Sequence, residues 1–313
     1  MSSVRTFDVS GWTIETALEA KGSTTVSMCI PCRNEVATIG SLVRHIRTHL
    51  VDRTGLVDEL IVLDDRSTDD TAVVAARAGA TVVAIGDIHA QFGVGHGKGN
   101  ALWATLAASQ GDLMVWCDGD VTSFEPVWVP RLLLPLLRND DLALVKATYH
   151  RPEQYGGGGR TTELVARPLL SLFFPELTGL DQPLAGEFAG RRSFLEQIPF
   201  VEGWGAEIGM LIDLAQRFGA SSIGQVDLDT RRHRHRSLLE LSVQAAEVMA
   251  TALARTPAAA AFASDELMLT RGDGTSVPVH LDERPPLAKV RAAVAGVRES
   301  VPPSPRPDAT PGR

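Results

Sequence analysis

At 313 residues, 44% hydrophobic and 22% charged, the chain is long enough to bury a substantial core and has an ordinary globular composition. Its formal net charge of −8 argues against a general nucleic-acid binder, and three cysteines are too few for a disulfide scaffold. No apolar run reaches the ~18–20 residues of a membrane span, and the opening MSSVRTFDVSGW has no signal-peptide core. A cytoplasmic protein without nucleic-acid or membrane partners is expected.

Residues 1–23 read as a leader, and 24–150 as an alternation of strands and helices. Thr24–Ile30 is rich in β-formers and stops at Pro31; a helix is expected from Glu35 to Leu50. Asp58–Leu63 is a second strand, after which Arg66–Asp70 supplies small polar and acidic residues to cap a helix reaching Ala78. A third strand spans Ala80–Ile85, then come a loop at Gly93–Gly99, a helix at Asn100–Ser109 and a fourth strand at Asp112–Cys117. A helix near Val127–Leu137 leads to a fifth strand, Leu142–Ala147. This order predicts an α/β fold, Rossmann-like, with a mainly parallel sheet and ligands at the carboxyl ends of its strands.

From residue 151 the texture changes. A glycine run at Gly156–Gly159 precedes a helix through Leu172, and residues 151–240 read as a smaller lobe packed on the first. Residues 241–300 are expected to hold a C-terminal amphipathic helix (240–255) and a hairpin of Leu267–Thr270 with Ser276–Leu281. The proline-rich segment 301–313 reads as a disordered tail.

The sharpest chemical signal is Asp118–Gly119–Asp120, directly after the fourth strand. Two carboxylates one residue apart at a strand end suit a hard divalent cation that bridges a diphosphate. The same tripeptide is common in turns, so context has to decide. That context is PCRNE (Pro31–Glu35) after the first strand and LDDRSTDD (Leu63–Asp70) after the second. With these three motifs in this order, residues 24–125 resemble the GT-A-fold glycosyltransferases.

Four further segments sharpen the resemblance: GKGNALW (97–103), GRTTEL (159–164), GWGAEIG (203–209) and RRHRHR (231–236). Over residues 11–255 the chain is similar to the glucosyl-3-phosphoglycerate synthases of actinobacteria. That resemblance implies a GT-A-type retaining, metal-dependent transferase with a UDP-sugar donor, a small phosphorylated acceptor, Mg2+ or Mn2+, and a homodimer. By resemblance, Pro31, Cys32, Arg33 and Glu35 would line the nucleotide pocket, with Asp65 beneath the uracil. Lys98, Asp118, Gly119 and Asp120 would hold the rest of the donor. Asp120 and His233 would ligate the metal. Glu207, Asp120 and Leu184 would stand at the reacting centre, and Gly159, Arg160, Thr162, Arg231 and His235 would face the acceptor.

The residues support parts of this independently. A helix opening on Gly159–Thr162 offers N–H groups, a guanidinium and a hydroxyl to an anion, although a glycine linker would read the same way. A neutral His233 suits a carboxylate-bound metal, against the alternative of a solvated basic strip. The chain departs from the family where His235 replaces an expected Asn, where Asp65 replaces a smaller residue, and where the loop between Lys146 and Gly156 is shorter. Another acceptor, a GDP-mannose donor or nucleotidyl transfer therefore stay open. Cys29 and Cys32 have redox-motif spacing, but the following Asn34–Glu35 fits the transferase pattern instead.

Overall fold

The computed structural model describes residues 3–150, 159–231, 237–257, 259 and 267–300, with side chains as far as 293. The first half runs β1 (Arg5–Phe7), α1 (Ile14–Lys21), β2 (Val26–Cys32), α2 (Ile39–Ile46), β3 (Glu59–Asp64), α3 (Thr71–Arg77) and β4 (Thr81–Ala84). It continues through α4 (Ile85–Phe92), α5 (Gly97–Ala108), β5 (Leu113–Trp116), α6 (Trp128–Arg138) and β6 (Leu144–His150). Beyond these lie α7 (Arg167–Phe173), β7 (Phe188–Arg191), α8 (Arg192–Leu195), β8 (Phe200–Val201), α9 (Ala206–Phe218) and β9 (Ile223–Thr230). The described C-terminal part comprises α10 (Leu238–Leu253), β10 (Leu267–Thr270), β11 (Ser276–Val279), β12 (Glu283–Arg284) and α11 (Leu287–Ser300).

Eight strands form one sheet in the order β1-β9-β6-β7-β5-β2-β3-β4. Its pairs are parallel except those of β7, which runs antiparallel to both β5 and β6. The inner strands are apolar on both faces because each face is covered. Cys29, Ile61, Leu63, Met114 and Trp116 point into one core, and Met28, Ile30, Val62, Leu113 and Val115 into the other. With this polarity, β2, β3 and β5 deliver the residues after Cys32, Asp64 and Trp116 to the same edge of the sheet.

Three expectations change here. The leader is structured: β1 is an edge strand paired in parallel with β9, followed by a capped α1. The boundary at residue 150 falls inside the sheet, since β7 and β9 from the following segment are inner strands of it. The helix expected from Glu35 starts only at Ile39, because residues 33–38 form a turn tied to the β3–α3 loop. An unforeseen α4 follows β4 directly, anchored by buried Ile85 and Ile88. The hairpin forms as expected from β10 and β11, and β12 pairs with β8. No described helix is long and apolar enough to cross a membrane. The expected tail, 301–313, lies outside the described residues.

Candidate active site

Two loops make one wall. Asn34 adopts φ +58°, a conformation Asn tolerates better than most residues. There its Oδ1 accepts the Thr68 N–H at 2.8 Å, while its own N–H donates to Ser67 Oγ at 3.0 Å. The next N–H, of Glu35, donates to Thr71 Oγ1 at 2.8 Å. The Asn and Ser-Thr-Asp of the two motifs thus zip the β2 and β3 loops together. Thr38 extends the tie to the β5 loop by donating to the Gly119 carbonyl at 2.7 Å.

These loops and the start of α5 enclose a cavity of about 450 Å3. Pro31, Cys32, Arg33, Glu35, Asp65, Lys98, Asp118, Gly119 and Asp120 all line it. Gly97, Ala101 and Trp204 line it too, although none was expected in that role. Trp204 could have been noticed as an aromatic residue bracketed by glycines, Gly203 and Gly205, ahead of a helix.

Behind the cavity lies a network of buried charges. Lys98 Nζ sits 3.0 Å from Asp118 and 2.7 Å from Glu207. Arg231, only 5% exposed, bonds Asp118 at 2.8 Å and Glu187 at 2.9 Å and lies 3.9 Å from Asp120. Burial opposes the charge on Lys98, but Asp118 and Glu207 outweigh it and raise its pKa above the usual lysine range. Burial also works against the Asp118 charge, yet Lys98 and then Arg231 hold its carboxyl well below the usual carboxylate range. For Glu187, 1% exposed, burial wins over Arg231 and the pKa rises. Lys146 is buried in β6, with its ammonium on the Ala185 carbonyl and over the Phe188 ring, and burial pulls its pKa down to about 8. Glu187 and Lys146 were not anticipated. Their signal was a charge within an otherwise apolar strand pattern, LVKATYH and EFAG, which a buried location has to compensate.

Gly186 keeps this network closed, because a Cβ there would collide with the Asp118 carboxylate. Gly186→Ala is expected to displace Asp118 and lower kcat/KM about a hundredfold, the usual consequence of a roughly 1 Å misplacement. Steady-state kinetics that match wild type would show that Asp118 tolerates the shift.

The remaining expected residues distribute as follows. Glu207 is buried in the first turn of α9. Leu184 packs beside the core, next to Ala185. Gly159 takes φ +78° and leads through Arg160 into a helical turn where Thr162 is buried; none of these three lines the cavity. Arg231, expected at the acceptor, has its guanidinium turned onto Glu187 and Asp118, behind the carboxylate motif. His233 and His235 lie outside the described residues, as do Gly156–Gly158. Cys29 and Cys32 are both buried, and burial pushes both thiols up, which removes the thiolate that redox exchange needs.

The donor set available to a divalent cation is small. Glu35, Asp65, Asp118 and Asp120 bring carboxylates to the cavity wall, and of the pair in the Asp-Gly-Asp motif Asp118 is held by Lys98 and Arg231, which leaves Asp120 as the candidate ligand. The described residues contain no group of three or more His, Cys, Asp or Glu side chains able to hold a metal. Among the described residues, an oxygen-seeking cation at Asp120 would have to take further oxygen ligands from a bound ligand.

Residues 27–199 match the family model of glycosyl transferase family 2. A glucosyl-3-phosphoglycerate synthase of Mycolicibacterium paratuberculosis is 43% identical over 302 residues, which cover 92% of this chain and 91% of that protein. This chain belongs to the glucosyl-3-phosphoglycerate synthase family. Among solved members, the Mycobacterium tuberculosis synthase with Mn2+, UDP-glucose and phosphoglyceric acid is 44% identical and superposes with a TM-score of 0.83, covering 92% of this chain and 99% of its own. The same synthase with Mn2+, UDP and glucosyl-3-phosphoglycerate gives a TM-score of 0.82 at 44% identity, covering 92% and 100%. The GT-A glycosyltransferase fold of the family accounts for the sheet described above, including the carboxyl-edge cavity.

Proposed function

We infer that this chain is a metal-dependent retaining glucosyltransferase that moves glucose from UDP-glucose to 3-phospho-D-glycerate, giving glucosyl-3-phosphoglycerate and UDP. The observation that carries the reading is likeness over nearly the whole length to a synthase caught with this donor and acceptor, and with the product and UDP. The cavity supports it: a nucleotide-sized space flanked by the β2 and β3 loops opens onto Asp120 and Lys98.

In this reading the Pro31–Glu35 and Asp65 walls hold the nucleoside, and Asp120 ligates Mg2+ or Mn2+ together with the diphosphate. When bound, the cation neutralises charge on the departing phosphate. Lys98 remains protonated between Asp118 and Glu207, so it presents N–H donors toward the diphosphate at neutral pH. Arg231 keeps Asp118 ionised and fixed from behind. Glu207 and Leu184 stand beside the transferring sugar, where the leaving phosphate helps to take the acceptor proton on the same face. Gly159, Arg160 and Thr162 grip the acceptor phosphate, with His235 beside its carboxylate and His233 as a further metal ligand. The protein contributes position and electrostatics, and no side chain need carry a covalent intermediate. A cytoplasmic setting belongs to the same reading and is supported by three cysteines that are all buried and unpaired.

The decisive assay incubates the protein with UDP-glucose, 3-phosphoglycerate and Mg2+ or Mn2+ and measures UDP. Release that requires all three components is expected. Release of pyrophosphate, or turnover only with GDP-mannose or another acceptor, would overturn the assignment. Arg160→Ala is expected to raise the acceptor KM roughly ten- to a hundredfold, since a charge-assisted phosphate contact is worth about 1.5–3 kcal/mol. Donor affinity should hardly move; equal weakening of both substrates would remove Arg160 from the acceptor site.

A further inference from the structure

The turn that brings Trp204 to the cavity is gripped from its far side by α10. Glu247 and Thr251, one helical turn apart, press on the two glycines that flank the tryptophan. A Cβ at Gly203 would collide with Glu247 Oε2, and one at Gly205 with Thr251 Oγ1. Gly203 also has φ +72°, which a larger residue would adopt only under strain. Between them, the Trp204 N–H donates to Glu247 Oε2 at 2.6 Å.

The opposite wall is built alike. The His96 N–H, just before α5 and Lys98, donates to Glu202 Oε2 at 2.6 Å. The Gly203 N–H donates to the His96 carbonyl at 3.3 Å, and a Cβ on Gly97 would fall 2.6 Å from Gly203 Cα. The backbone carrying Lys98 and the backbone carrying Trp204 therefore touch, and each hangs from one buried carboxylate. Glu247 is 4% exposed and lies beyond the stretch that matches the family model. A carboxylate at such a position is costly to bury and contributes nothing to packing that a methionine would not. What it offers is a strong, directed acceptor for backbone N–H groups, those of Trp204 and His280.

We propose that Glu247 is a positioning residue for the donor cavity, holding the Gly203–Gly205 turn so that Trp204 stays on the cavity wall beside Lys98 and Ala101. The C-terminal helix α10 is then part of the donor site, acting through the backbone without touching the donor. This rests on the reading of the cavity as the UDP-glucose site.

The test compares wild type, Glu247→Ala and Glu247→Gln by calorimetric titration with UDP-glucose and Mn2+ in the absence of acceptor, by steady-state kinetics and by thermal unfolding. Glu247→Ala is expected to raise the UDP-glucose Kd and donor KM about tenfold or more, the fold-change of a lost charge-assisted hydrogen bond, while the acceptor KM stays within about twofold. Glu247→Gln still offers an oxygen to the Trp204 N–H and should remain within about threefold of wild type. Gly205→Ala, which drives the same turn off Thr251 with Glu247 intact, should reproduce the donor-specific loss and decides the matter if Glu247→Ala does not fold. Unchanged donor affinity in either alanine variant overturns the proposal. So does a parallel rise of donor and acceptor KM, or a Gln variant as weak as the Ala variant. Wild-type protein that binds no UDP-glucose would instead overturn the assignment of the cavity, and the proposal with it.

Discussion

With Asp120 as the proposed metal ligand, Asp120→Ala is expected to reduce kcat/KM by about 10^3 or more, because the cation that would neutralise the leaving diphosphate loses a carboxylate and several kcal/mol of charge stabilisation. The neighbouring carboxylate, Asp118, is a poor substitute, since its two oxygens are already held, one by Lys98 and the other by Arg231. The fold should survive: Asp120 lies at the cavity wall, and Arg231, 3.9 Å from it, remains paired with Asp118 and Glu187. UDP binding measured with and without Mn2+ checks the cause. Wild type should bind UDP more tightly with Mn2+, and the variant should lose most of that difference. A variant with near-normal turnover, or with the full Mn2+ enhancement, would place the metal elsewhere.

Arg231→Met is expected to cost about 3–5 kcal/mol of stability, as breaking a buried ion pair from one side generally does. The guanidinium is nearly inaccessible, bonds Glu187 and Asp118, and lies over the Tyr149 ring at 5.5 Å. Methionine fills much of the volume but leaves Glu187 buried without its cation, and Glu187 Oε2 has no hydrogen-bond partner among the described residues even with Arg231 present. At about 2–4 °C per kcal/mol for domains approaching this size, the midpoint should fall by on the order of 10 °C at pH 7. The sign of the pH dependence follows from Glu187, whose folded pKa burial already raises. Losing Arg231 raises it further, so the folded variant takes up a proton before the unfolded chain does. Its deficit relative to wild type should therefore shrink as pH falls from about 7 toward 5. Glu187→Gln in the Arg231→Met background should recover part of the loss by removing the stranded charge. A midpoint within about 2 °C of wild type would mean that the network is solvated and contributes little.

The part of the site that was legible in the sequence is the part encoded in short stretches of chain. PCRNE, LDDRSTDD and DGD each follow an apolar strand directly, and a strand that ends in small, acidic or turn-forming residues announces where it stops. Parallel strands stop on the same edge, so three such endings imply one crevice, and the cavity-lining residues expected from them are found together. Element boundaries were less legible. The helix after β2 starts at Ile39 and not at Glu35 because Asn34 and Glu35 satisfy their backbone through Ser67, Thr68 and Thr71 on another loop. β1 is three residues long and becomes a strand only because β9 lies beside it.

By itself, then, the sequence determined the parallel α/β frame, the edge at which chemistry occurs and the carboxylate pair that marks it. Periodicity, strand endings and turn residues are local properties, and neighbouring residues suffice to impose them. Tertiary structure alone decided which charges meet. Arg231 reaches Asp118 across 113 residues and Glu187 across 44. β7 brings Glu187 in by entering the sheet antiparallel between β5 and β6. A buried charge in a strand requires a partner, but its identity depends on which elements pack face to face. The same holds for Trp204, which reaches the cavity because a carboxylate on α10, 43 residues further on, accepts its N–H, a bond that exists only once the helix has docked.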